Sequence, residues 1–269
     1  MLKKILARLR TEKKSLIAFN IQELSQLESL AESCEVLKKE AICQLSERYF
    51  LFFEKFYNLK KIIDYYHKRN LFFFLDHCSN IEIIKKCSKY DFDGIMFDGS
   101  GLKLKKNIKW TNRIFKYLNK KKIILEAEIG PIFGQEDNGN FKFTKLKKAH
   151  VSKFIKEADF DLLAIGAGNT HGFVKNLKID FSLYKHAIEI NKNINLVFHG
   201  ASGVNSQILM RAQRFNIIKI NYSSSLKREM AKLNTMFFNK NKNFDKINFD
   251  NFIKNNLLKF FSDKIKKYS

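Results

Sequence analysis

The sequence has a single proline, Pro131, among 269 residues. It contains no Pro/Gly/Ser-rich spacer, so nothing reads as a linker between two domains. The only low-complexity stretch is the Asn/Lys run at 239–243. Cysteine is scarce. Cys34, Cys43, Cys78 and Cys87 form no CxxC pair and no disulfide framework of a secreted domain, so reduced, mostly buried thiols are expected. No apolar run approaches the ~20 residues that a membrane span needs. Met1–Arg10 is basic and amphipathic but lacks the apolar core and cleavage site of a secretory signal. It reads as a first helix of a cytoplasmic protein without a membrane partner. Acidic residues are outnumbered, 27 against 50 basic ones, for a formal charge of +23. Such a field attracts anions. The lysines are nevertheless spread along the whole chain, with no Cys/His finger, ribonucleoprotein motif or basic zipper, so no nucleic-acid partner is expected.

What the chain does have is an alternation of short apolar runs and helical spacings. Leu71–Leu75 is apolar without a break, as in a strand buried on both faces, and Asp76 and His77 follow it. Strands are read at 15–20, 41–46, 71–75, 93–98, 122–128, 162–166, 196–199 and 217–221. Helical spacing is read at 1–12, 22–38, 54–69, 81–90, 106–120, 144–158, 180–190 and 205–214, with a Lys-rich helical extension over 226–269. About eight strand–helix alternations point to a single-domain α/β fold, a (β/α)₈ TIM barrel spanning 1–269. A doubly wound open sheet is the rival, weakened by the lack of a GxGxxG after the first strand.

The strand ends carry Asn20, Ser46, Asp76, His77, Asp98, Glu126, Glu128, His171, His199 and Asn221. A barrel would bring these to one rim. Three of the six histidines there suit a zinc or related divalent site that polarises a carbonyl, with Asp76, Asp98, Glu128 and Glu136 as acid, base or supporting groups. His67, His150 and His186 read as ordinary surface or core residues. Turns at Gly172, at Gly200–Gly203 and at Asn221–Ser225 suit a phosphate cradled by backbone N–H groups.

Taken together, Ala18–Asn20, Leu75–His77, Met96–Ser100, Glu126–Gly130, Gly134–Asp137, Thr170–Gly172, His199–Gly203 and Lys219–Asn221 resemble the class II, metal-dependent ketose-bisphosphate aldolases over nearly the whole chain. The resemblance implies zinc-dependent reversible cleavage of a ketose 1,6-bisphosphate, fructose-bisphosphate first, to dihydroxyacetone phosphate and glyceraldehyde 3-phosphate. The alternatives are tagatose-bisphosphate or another sugar phosphate, or an inactive sugar-phosphate-binding barrel. It implies Zn²⁺ on His77, His171 and His199, a second or alternative divalent position at Asp98 and Glu128, and a monovalent cation near the phosphate. Asp76 and Glu136 would be catalytic. Asn20, Ser46, Gly172, Gly200, Ala201, Ser202, Asn221, Tyr222, Ser223 and Ser224 would bind substrate. A homodimer or homotetramer is implied, with the C-terminal helices packing across a subunit boundary. Gly101, Phe133, Val174 and Ser223 depart from residues common in the family, and Ser223 removes a carboxylate.

Overall fold

In the computed structural model the apolar runs form β1 (Leu16–Asn20), β2 (Ala41–Ser46), β3 (Leu71–Cys78), β4 (Gly94–Phe97), β5 (Ile124–Ile129), β6 (Leu162–Ile165), β7 (Leu196–Phe198) and β8 (Ile217–Tyr222). They pair in parallel in chain order, and β8 closes on β1. The expected barrel is therefore the observed fold, and the open sheet is excluded. The structure describes residues 2–132, 146–173, 177–240 and 243–269. Glu136, Phe133 and Val174 lie outside the described residues.

Helices α1 (Leu2–Glu12), α2 (Leu24–Leu37), α3 (Glu47–Phe56), α4 (Leu59–His67), α5 (Ile81–Cys87), α6 (Leu104–Asn119), α7 (Lys148–Glu157), α8 (Phe181–Ile190), α9 (Ser206–Gln213), α10 (Ser224–Lys240) and α11 (Lys246–Tyr268) accompany the strands. Residues 54–69, read as one helix, are two. Asn58 interrupts them, and its side chain caps α4 by accepting from the Lys61 N–H. α3 escaped the periodicity reading because Phe50 and Phe53 are buried while Phe52 and Phe56 are exposed, so aromatics fall on both faces.

Two apolar layers hold the barrel. Alternate strand residues point outward to the helices, among them Leu71, Phe73 and Leu75. The others fill the interior, where Phe72, Phe74, Met96 and Ile124 meet Leu2, Ile5, Leu6 and Leu9 of α1. The basic amphipathic N-terminal helix therefore plugs the barrel below the strands, with its apolar stripe used internally. The buried stripe of α11, including Leu257, Phe261 and Ile265, packs within the same chain. Phe261 meets the Phe19 ring of β1 edge-on at 4.7 Å, and Leu258 O accepts from Ser33 Oγ of α2 at 3.1 Å. All four cysteines are buried and free. Among the described residues no helix is long and apolar enough to cross a membrane.

Candidate active site

The chemistry-bearing side chains converge at the C-terminal ends of the strands, around a cleft of about 640 Å³. That volume is in the range of small-molecule sites. Asn20, Ser46, Asp76, His77, Asp98, His171, Gly172, His199, Gly200, Ser202, Asn221, Ser223 and Ser224 line it, joined by Gln22, Tyr49, Phe173, Lys227 and Arg228.

Two successive residues, Asp76 and His77, both reach this cleft, although a regular strand sends neighbours to opposite faces. A register shift between Leu75 and Cys78 resolves the conflict. His77 sits there at φ 42, in the left-handed region that a non-glycine residue rarely adopts. The irregularity re-aims the imidazole, as bulges beside active sites do.

The three imidazoles meet as the sequence reading expected. His77 Nε2 lies 3.0 Å from His199 Nδ1. Ring centroids are separated by 4.8 Å for His77 and His171, and 6.0 Å for His171 and His199. Gly200, at φ 74, makes the approach of the two loops feasible, because a Cβ there would stand 2.1 Å from Thr170 O. His77 also faces a second group, with its Nδ1 3.2 Å from Asp98 Oδ2 and 3.6 Å from Glu128 Oε2. Ligand atoms of His77, His171 and His199, and of His77, Asp98 and Glu128, lie within 4.8 Å of one another. Glu128 Oε2 is buried without a hydrogen-bond partner. Three nitrogen donors at the mouth and a neighbouring carboxylate pair with an unmatched oxygen fit a divalent cation.

The electrostatics separate the rings. Burial, then the charge of His77, pushes His199 well below the ordinary imidazole range. Burial also opposes charge on His77, but Asp76, Asp98 and Glu128 outweigh it and hold that ring up to about 10. Burial and the charge of Asp98 push Glu128 upward. For Asp98 burial is outweighed by His77 and Ser100, and the carboxyl is held low.

Asp76 is fixed by two amides. Asn20 Nδ2 donates to its Oδ2 at 2.7 Å and Gln44 Nε2 to its Oδ1 at 2.6 Å. Burial works against its charge, yet His77, His199 and Lys219 keep the carboxyl below its usual range. Gln44 was missed from the sequence. Its signal is the period of two along β2, which sets Ile42, Gln44 and Ser46 on one face.

The turns expected to hold phosphate lie side by side. Ser202 Oγ accepts from the Ser225 N–H at 3.0 Å, joining the turn after β7 to the start of α10. Ser223, Ser224 and Lys227 line the cleft there. Tyr222 and Ala201 face elsewhere. The Tyr222 ring stacks on Phe19 at 5.8 Å under the Lys264 ammonium, and with Ala201 it borders a separate hollow outside the cleft.

Comparison with known proteins agrees with this geometry. A 6-phospho-5-dehydro-2-deoxy-D-gluconate aldolase of Shouchella clausii is 33% identical over 151 residues, 56% of this chain and 51% of that protein. A fructose-bisphosphate aldolase of Ureaplasma parvum is 32% identical over 178 residues, 62% of this chain and 60% of that protein. The matched stretch thus spans between 51% and 60% of these curated relatives. The crystal structure of a putative fructose-1,6-biphosphate aldolase from Coccidioides immitis superposes with TM-score 0.87 at 21% identity, covering 99% of this chain and 96% of that one. At that identity it shows the fold alone. The family model described as fructose-bisphosphate aldolase class-II matches residues 1–268, end to end with the barrel and its rim of histidines, and the chain belongs to that family.

Proposed function

We propose that this barrel is a zinc-dependent lyase that reversibly cleaves a ketose 1,6-bisphosphate, fructose-bisphosphate first, to dihydroxyacetone phosphate and glyceraldehyde 3-phosphate. The convergence of His77, His171 and His199 beside the clamped Asp76 carries the reading. Zn²⁺ held by these three rings would supply Lewis-acid stabilisation of negative charge on the substrate's ketone oxygen. Asp98 and Glu128 would hold a second or alternative divalent ion with His77.

The protein's own groups do the rest. Asp76 takes the proton from the hydroxyl of C4 as the C3–C4 bond breaks, and that oxygen becomes the aldehyde. The bonding pair stays with C3 and delocalises towards the ketone oxygen, and a proton is then returned to C3, a step we give to Glu136. The amides of Asn20 and Gln44 keep Asp76 ionised and aimed. Gly172, Gly200, Ser202, Ser223 and Ser224 cradle the ketone-side phosphate at the start of α10, with a monovalent cation beside it. Asn20, Ser46 and Asn221 orient substrate hydroxyls, with Ala201 and Tyr222 supporting the cradle from behind. We read the chain as one domain in a cytoplasmic homodimer or homotetramer.

The Shouchella clausii relative favours a second reading, cleavage of another phosphorylated ketose of the same size. A panel of fructose-, tagatose- and deoxy-keto-gluconate phosphates with added Zn²⁺ separates the two. The metal-dependent reading expects turnover that chelator abolishes and borohydride leaves intact. Borohydride trapping with indifference to chelator would assign a Schiff-base lysine instead.

A further inference from the structure

Directly beneath the histidines lies an ion pair that the proposed reaction does not use. Lys219 of β8 and Glu126 of β5 are both 0% exposed. Lys219 Nζ stands 2.7 Å from Glu126 Oε2 and 5.1 Å from the centre of the Phe74 ring. The other carboxylate oxygen, Oε1, lies 2.7 Å from His199 Nε2. A lysine with no exposed surface is costly to bury and needs a compensating role or partner.

We propose that Lys219 and Glu126 are positioning residues that lock His199 with Nδ1 turned to the metal cluster. A carboxylate only accepts hydrogen bonds, so His199 Nε2 must carry the proton facing Glu126. Its Nδ1 lone pair then faces the cluster, 3.0 Å from His77 Nε2 and 3.1 Å from the Asn221 amide Nδ2, which a bound cation would displace. Lys219 completes the lock by holding the second oxygen, so Glu126 cannot swing up and ligate the cation itself. The next inward residue on the strand shows the contrast: Glu128 Oε2 makes no hydrogen bond and only faces His77 Nδ1 at 3.6 Å. One carboxylate is tied at both oxygens, and the other is left with an oxygen to give. β8 is built for this arrangement. Its pairing with β7 slips by one residue, Leu196 opposite Ile217 but Val197 opposite Lys219. Ile218 joins the interior apolar cluster while its neighbour Lys219 also reaches inward to Glu126.

This inference rests on reading His199 as a metal ligand, and the test separates the two. Zinc affinity is measured by competition with a chromophoric chelator, and the cobalt-substituted protein gives a ligand-field spectrum. Wild type is compared with Lys219→Met/Glu126→Gln, which keeps a neutral acceptor, and Lys219→Met/Glu126→Leu, which removes it. Replacing both partners avoids stranding one buried charge. Expected losses of zinc affinity are about 10-fold and about 100-fold respectively, the usual range for groups that orient a ligating histidine. The cobalt spectrum should shift in the Leu variant, while the metal-free melting temperatures stay close to wild type. Wild-type affinity and spectrum in the Gln variant overturn the proposal, even if the Leu variant fails to fold. Absence of stoichiometric metal from wild type itself overturns the ligand reading, and the lock with it.

Discussion

Asp76 is the residue on which the proposed proton transfer depends. Asp76→Asn keeps the shape, offers one acceptor oxygen to the Asn20 and Gln44 amides in place of two, and cannot take a proton. Turnover should fall by about 10²–10⁴-fold with little change in zinc content, as measured by steady-state assay and metal analysis. His199→Ala should instead lose metal and activity together, and stoichiometric zinc retained in that variant would rule out its role as a ligand. Gly200→Ala places a methyl group against Thr170 O at 2.1 Å with φ in the left-handed region. It should lower the melting temperature and weaken zinc binding, because the loops carrying His171 and His199 must separate. At this scale the sequence was most readable where residue type is rare. Three histidines after apolar runs marked the site without coordinates. Lys219 was noticed only as part of the Lys219–Asn221 motif, one cation among 50 with no role assigned, and the strand register and its bond to Glu126 show that it points into the barrel. Gln44 was quiet, and Glu126, read as a strand-end acid at the rim, instead lies fully buried beneath the cleft, because an amide or a carboxylate within a strand does not reveal which neighbour it will meet.

The elements were legible where one face is apolar and obscure where aromatics crowd both faces. The eight strands were all readable, since each is a short apolar run ending in polar residues. α3 was not, and the break at Asn58 turned one expected helix into two. α4 is tied to the sheet by a titratable contact. His67 Nε2 lies 2.9 Å from Asp93 Oδ2, which also accepts from the Phe73 N–H at 2.8 Å. Burial works against charge on His67, but the hydrogen bond to Asp93 and the nearby acids raise it above 6.5. A raised imidazole stabilises the fold fully below its unfolded value, and that contribution fades as pH rises through the folded one. The melting-temperature gap between wild type and His67→Gln should therefore be largest near pH 5.5 and shrink towards pH 9. A gap that grows with pH would contradict the assigned pairing.

At the scale of the whole molecule, the barrel is plugged from below by α1 and wrapped by α11. Leu6 is buried among the interior residues of several strands. Leu6→Ala should cost about 2–5 kcal/mol of unfolding free energy, read by denaturant titration, because the barrel floor cannot collapse around the void. The net charge of +23 is a property of the whole surface, whereas the site's chemistry comes from a few groups at one rim. Composition therefore said little about function, while the order of motifs along the chain said much. The central claim is that a cation is held among His77, His171 and His199. Anomalous diffraction at the zinc edge, from crystals of zinc-loaded protein, tests it directly. One peak bonded to His77 Nε2, His199 Nδ1 and the His171 ring is expected; zinc found elsewhere, or no peak at those nitrogens, would contradict it.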